Sequence, residues 1–371
     1  LNRTWSLDKI NSIFGLYLQN CHIEKLSFMP FGYKLDRLEF NMNKINEIEI
    51  DAFKNMSHLI YLSLNYNKIQ KLDQKLFIDL ISLENLYFEY NMIKAIKNNT
   101  FIYLNKLIIL SLKQNRIVLL EVNCFNGLNN LLYLFLEQNL IKTITSALFN
   151  SLSSLFSINL EFNRLEHIEY DTFGSAMKNV QLIKLNNNQI THIDNGAFEN
   201  MENLLELEIS FNRLRNFDFS LKKNNSNIII QYLVLSENYV RELSPEIFEN
   251  IAEIDELELN ALSISDFEFN LFSYFSNSIR TLYLERNKLE RIKYYYFSDM
   301  INLEELYLGK NKISSIEIDS FINLNKLKTL ELNDNCLFKL DKNMFKSFTR
   351  LSNLNLNNNL LKSFDISILF R

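Results

Sequence analysis

Asparagine returns along this chain at an almost fixed interval, at Asn43, Asn67, Asn91, Asn115, Asn139, Asn163, Asn188, Asn212, Asn238, Asn287, Asn311, Asn335 and Asn359. Around each stands one string, L-x-x-L-x-L-x-x-N-x-I/L-x-x-I/L, and a phenylalanine column keeps step with it: Phe53, Phe77, Phe101, Phe125, Phe149, Phe173, Phe198, Phe248, Phe272, Phe297, Phe321 and Phe345. Cys21 and Leu262 hold the asparagine's place in two further copies, which makes about fifteen repeats with a period of roughly 24. A unit that short cannot bury its own apolar face, so the copies must stack. The chain of 371 residues therefore reads as one domain over 1–371, although length alone would suggest more than one core.

Within a repeat, "LEELYLGKNKISSIEIDSFINLNK" (residues 303–326) sets Leu306 and Leu308 on one side of a strand by the two-residue period, with Glu305, Tyr307 and Gly309 on the other. One side is core and the other faces solvent. The asparagine follows where the chain leaves the strand and turns. Backbone groups buried there by neighbouring coils have no ladder partner, and each one left unpaired costs about 1 to 3 kcal/mol. Asparagine carries donor and acceptor on a short stem and can bond the turns of its own and the adjacent repeat. Cys21 can act there as a weak donor; Leu262 cannot.

These motifs resemble the leucine-rich repeat family, whose L-x-x-L-x-L-x-x-N/C-x-L signature is matched along essentially the whole chain. The period and the phenylalanine column look like the extracellular 24-residue type of Toll-like receptors and chaoptin-like adhesion proteins, and "LEISFNRLRNFDF" (residues 207–219) is similar to the latter. The resemblance implies an α/β repeat fold: a curved horseshoe solenoid with a parallel β-sheet on its concave side and irregular or short helical segments on its convex side. It also implies recognition without catalysis, as an adhesion protein or a receptor ectodomain. Location would then be extracellular or at the cell surface. Cysteine-poor leucine-rich repeat scaffolds inside the cell are the competing class.

Regular repeats cover about 13–211 and 279–371, and the zone 212–287 departs from the rule. There the polar insertion "SLKKNNSNII" (residues 220–229) displaces the expected phenylalanine after Phe217 with Leu221 or a neighbour, and Leu262 breaks the ladder. A local change of curvature is expected. Neither end carries a cysteine-rich cap, so the solenoid ends are expected to be uncapped, as in a fragment or in a chain whose partners cover them, and a homo-oligomer is compatible with that.

Composition narrows the partners. A net charge of -5 gives no basic footprint for nucleic acid or an anionic membrane, and no apolar run is long enough to span a bilayer. Gly 6 and Pro 2 show that few turns are built in the usual way. Cys21, Cys124 and Cys336 stand too far apart for a framework or metal pattern, and no phosphate loop, nucleophile elbow or carboxylate pair is present. No enzyme activity, cofactor or metal is expected. His167 and His192, four residues after their ladder asparagines, should be neighbours but lack a carboxylate or cysteine at matching positions. Glycosylation sequons stand at Asn2, Asn55, Asn98 and Asn224, no more than so asparagine-rich a chain yields by chance.

The exposed side of the strands can be read off directly. It gives a candidate binding surface of Tyr61, Tyr87, Glu89, Tyr133, Phe135, Glu137, Glu161, Glu206, Glu208, Tyr232, Glu256, Glu258, Tyr283, Glu285, Glu305 and Tyr307, against which stand only Arg37, Lys113 and Lys184. Tyrosine provides contact area at low entropic cost, and the glutamates would steer a protein ligand with a basic surface.

Overall fold

The structure is a computed structural model that describes residues 14–29, 34–219, 221, 228–249, 251–341 and 343–363. Asn2, Asn224, most of the 220–229 insertion and both chain ends lie outside the described residues. Two compact units are formed, one of residues 1–165 and 171–183 and one of residues 166–170 and 184–371.

Each unit is a parallel β-solenoid. In the first, the strands Gly15–Tyr17, Arg37–Glu39, Tyr61–Ser63, Asn85–Tyr87, Ile109–Ser111, Tyr133–Phe135 and Ser157–Asn159 pair in sequence order. In the second, Glu206–Glu208, Ile228–Val234, Ile251–Glu258, Thr281–Tyr283, Glu305–Tyr307, Thr329–Glu331 and Asn353–Asn355 do the same. Leu182–Lys184 spans the residues at which one unit gives way to the other. One main strand per repeat is what the period requires. Register follows the repeat, so that Leu282, Leu306 and Leu330 stack as one fully buried column.

Opposite the strands, the phenylalanine column fills the coil interior, with Phe101 against Phe125 and Phe297 against Phe321 in near-parallel stacks at 6.4 and 6.3 Å. Helical structure among the described residues is limited to single turns such as Ser146–Phe149 and Gln74–Phe77. Short two-residue strand pairs, among them His167–Ile168 with His192–Ile193, run beyond the asparagine turn.

The ladder carries the turns as its chemistry allows. Asn311 donates from Nδ2 to the carbonyls of Leu284 (2.9 Å) and Leu308 (3.0 Å), and its Oδ1 accepts the Leu289 amide at 3.1 Å. Asn335 repeats the pattern one coil on, donating to Leu308 and Leu332 and accepting from Ile313. Each leucine carbonyl therefore receives two asparagines, its own and the next. Cys21 donates weakly from its sulfur to the Gln19 carbonyl at 3.2 Å, and Leu262 is buried without side-chain bonding capacity.

The scarcity of glycine now has a reason. The residue before each ladder position takes a left-handed conformation whatever its side chain: Tyr66 and Tyr90 at φ 57° and 55°, Phe162 at 52°, Ala261 at 53° and Lys310 at 57°. That backbone costs about 1 to 2 kcal/mol for an L-residue, and it recurs even at Ala261, where the ladder position is Leu262 rather than asparagine.

The irregular zone keeps the stack but alters its strands. Ile228–Val234 and Ile251–Glu258 are longer than the three-residue norm, with a register shift between Ile228 and Ile229. Leu221 is buried there, but the ring that meets Phe198 belongs to Phe219, at 5.7 Å. The shortened segment after Asn212 brings Phe219 into the column ahead of the usual position.

Candidate functional site

The candidate residues divide into two groups. In the first unit, Tyr61 and Tyr87 lie 5.3 Å apart on adjacent strands, and the Arg37 guanidinium sits 3.6 Å over the Tyr61 ring while pairing with Glu39 at 2.7 Å. Tyr133 stacks beside Phe135 at 6.4 Å and meets Phe156 edge-on at 5.7 Å. Glu89 accepts the Ser111 hydroxyl at 2.8 Å, and Glu161 accepts from Asn159 at 3.2 Å. Acids in this unit are thus bonded within the sheet face.

Exposure of this face is less than the two-residue period suggests. Glu39, Ser63, Ser111 and Glu137 are buried, each engaged by a neighbour on the same face: Arg37 and Gln19 at Glu39, Asn41 at Ser63, Glu89 at Ser111 and Lys113 at Glu137. Glu137, expected to be solvent-facing, is 7% exposed, and one carboxylate oxygen has no hydrogen-bond partner. Burial raises its pKa, against the pull of Lys113 at 3.3 Å.

In the second unit the register sets two columns across the strands. One runs Glu206, Tyr232, Glu256, Thr281, Glu305; the other runs Glu208, Val234, Glu258, Tyr283, Tyr307, Glu331. Lys184 reaches Glu206 at 3.0 Å and Glu208 at 2.6 Å, so the start of these columns is neutralised within the fold. Beyond it the balance changes: among the described residues no lysine or arginine forms an ion pair with Glu256, Glu258, Glu285 or Glu305.

Tyrosines hold this acidic group in place. Tyr283 and Tyr307 stack at 4.7 Å with planes 10° apart, Tyr307 donates to Glu305 at 2.6 Å, and Tyr232 donates to Glu258. Partial burial, together with Asp255, Glu258 and Glu305, raises the Glu256 pKa; burial raises that of Glu285 despite Lys310 and Arg286 nearby. Burial among these same carboxylates pushes the Tyr283 hydroxyl up to about 12. Both effects describe a half-buried surface with excess negative potential, anchored by stacked aromatic rings.

Other sequence features find their places. Asn55 and Asn98 are exposed. Cys21, Cys124 and Cys336 are free thiols; Cys124 is buried, which raises its pKa. His167 and His192 are register partners, as expected from their equivalent positions, with rings 5.1 Å apart. The carboxylate found lacking from sequence is present: Asp194, two residues beyond His192 and hence on the same side of that strand, lies 2.8 Å from His167 and 3.2 Å from His192. Strand alternation in "THIDNG" carried that signal.

The chain belongs to the leucine-rich repeat family: the family model described as "Leucine rich repeat" matches residues 33–93, 67–117, 105–165, 157–214 and 277–337. No curated protein matches. Among solved structures, the chain is similar to Toll in the Drosophila Toll–Spätzle complex, with 24% identity over 88% of this chain and 44% of that one and a TM-score of 0.77. It thus spans less than half the length of the Toll chain. A leucine-rich repeat protein of Leptospira interrogans gives 21% identity, coverage of 96% and 93%, and a TM-score of 0.76. The ectodomain of an Arabidopsis thaliana membrane receptor kinase, in complex with Casparian strip integrity factor 2, gives 21% identity, coverage of 93% and 44%, and a TM-score of 0.62. At these identities the likeness is one of fold.

Proposed function

We propose that this chain is a non-catalytic recognition domain that binds a protein ligand carrying a basic surface, and that it works at the cell surface as part of a receptor or adhesion protein. The observation that carries the reading is the acidic and tyrosine surface of Tyr232, Glu256, Glu258, Tyr283, Glu285, Glu305 and Tyr307, whose carboxylates form no ion pair among the described residues. A carboxylate that forms no ion pair within the fold is available to an incoming lysine or arginine. Glu206 and Glu208 are already paired with Lys184.

Support for the surface location comes from the ectodomain folds it resembles. The Toll structure is a complex with Spätzle and the receptor-kinase ectodomain a complex with Casparian strip integrity factor 2. Three free thiols are the observation on the other side, since they suit the reducing interior of a cell, and they keep an intracellular scaffold as the second reading. The binding reading is tested with equal-length lysine-rich, neutral and acidic peptides titrated against the whole chain at two salt concentrations. Preferential, salt-sensitive binding of the cationic peptide is expected; equal affinity for all three would refute it.

A further inference from the structure

We infer that His167, His192 and Asp194 form a divalent transition-metal site, with zinc as the fitting ion, that clips two adjacent coils of the second unit together. The three ligand atoms lie within 4.8 Å of one another, and both imidazole Nε2 atoms point at the same carboxylate oxygen, at 2.8 and 3.2 Å. Around a tetrahedral zinc with bonds of about 2.0 to 2.1 Å, neighbouring ligand atoms stand about 3.4 Å apart. The two histidine–aspartate spacings reach that by opening about 0.2 to 0.6 Å, and the two imidazole nitrogens lie within 4.8 Å of each other. Side-chain exposures of 44%, 52% and 32% leave room for the movement and for solvent in the remaining coordination position.

The supporting shell is what distinguishes this group from a chance surface cluster. The second oxygen of Asp194 accepts the Tyr170 amide at 2.9 Å, and the Asp194 amide donates to the Ile168 carbonyl at 2.9 Å, so the carboxylate is fixed from both ends. Tyr170 is in turn held by its hydroxyl, which donates to Glu199 at 2.7 Å, and by Gly196, where a Cβ would come within 2.7 Å of the tyrosine ring. The histidines are held by backbone pairing between their strands. Outer partners of this kind fix ligand orientation in metal sites and are worth about 10- to 100-fold in affinity. The imidazole pair selects a borderline metal such as zinc over magnesium or calcium, which prefer oxygen.

Zinc chloride titrated calorimetrically into the whole chain tests this, together with cobalt(II) as a visible-absorption probe of geometry. One equivalent of zinc should bind with a dissociation constant on the order of micromolar, cobalt should give the intense visible bands of four-coordination, and zinc should raise the thermal midpoint. His192→Ala and Asp194→Asn should each weaken binding by about tenfold or more and abolish the thermal shift, with the circular dichroism spectrum unchanged because all three side chains are solvent-accessible. Absence of saturable one-to-one binding would overturn the assignment. So would unchanged affinity in both variants, which would place the metal elsewhere on the chain.

Discussion

Removing two asparagines that share a carbonyl should cost more than the sum of removing each. In Asn311→Leu, the Leu289 amide loses its acceptor and is buried without one. The carbonyls do not: Leu284 keeps Asn287 at 3.1 Å, and Leu308 keeps Asn335 at 3.0 Å. One orphaned amide at about 1 to 3 kcal/mol, plus two weakened acceptors, puts the loss at about 2 to 4 kcal/mol. Asn335→Leu is equivalent, orphaning Ile313 while Leu332 keeps Asn359 at 2.8 Å. Together the two substitutions strip Leu308 of both donors, which adds a coupling of about 1 to 3 kcal/mol. Asn311 and Asn359 share no carbonyl, so that pair should be additive to within about 0.5 kcal/mol. Urea denaturation followed by circular dichroism gives the global term, and hydrogen exchange across residues 284–313 gives the local one. Equal coupling in both pairs, or none in either, would refute the shared-carbonyl account. At Leu262 the carbonyls are covered in the same way, since Leu235 keeps Asn238 and Leu259 keeps Asn287, so the cost of the gap falls on the amide that an asparagine there would have bonded.

Three further outcomes are expected. Glu256 has a raised pKa, so its ionised form opposes folding; its contribution is most favourable below the unfolded pKa and is lost as pH rises through the folded one. Glu256→Gln should therefore raise the thermal midpoint by about 1 °C at pH 7 and by nothing near pH 4, read by calorimetry. Phe219→Ala, which empties the ring position against Phe198, should cost about 3 to 5 kcal/mol and more than Leu221→Ala; the reverse ranking in urea denaturation would return the column to Leu221. Secretion from a glycosylating host should add glycan mass at the exposed Asn55 that Asn55→Gln removes, and an unmodified Asn55 in secreted material would count against the surface location.

The solenoid was legible because its rule is local and repeated: a two-residue period for the strand, an asparagine where the turn needs both donor and acceptor, and a phenylalanine to fill the far side. Features set by relations between coils were harder to read. Nothing in the variety of Tyr66, Gln114, Phe162 and Ala261 announces a shared left-handed turn, which recurs at the same place in each coil whatever the side chain. Lys184 was visible as an isolated cation, but its hold on Glu206 and Glu208 depends on side-chain reach across one strand. Glu137 was assigned to solvent by alternation and is covered by its neighbours. Phe219 entered the core column because the segment between Asn212 and Phe219 is shorter than the fixed spacing assumes.

The central claim is that the sheet face of the second unit, rather than net charge, selects a basic ligand. Two variants of the whole chain decide it: Glu256, Glu258, Glu285 and Glu305 all changed to lysine, and the exposed Glu242, Glu268, Glu290 and Asp341 changed likewise. Both alter net charge by the same amount. Calorimetric titration with the lysine-rich peptide should show a loss of about tenfold or more for the first variant and of no more than about twofold for the second. Equal losses, or none in the first, would contradict the account.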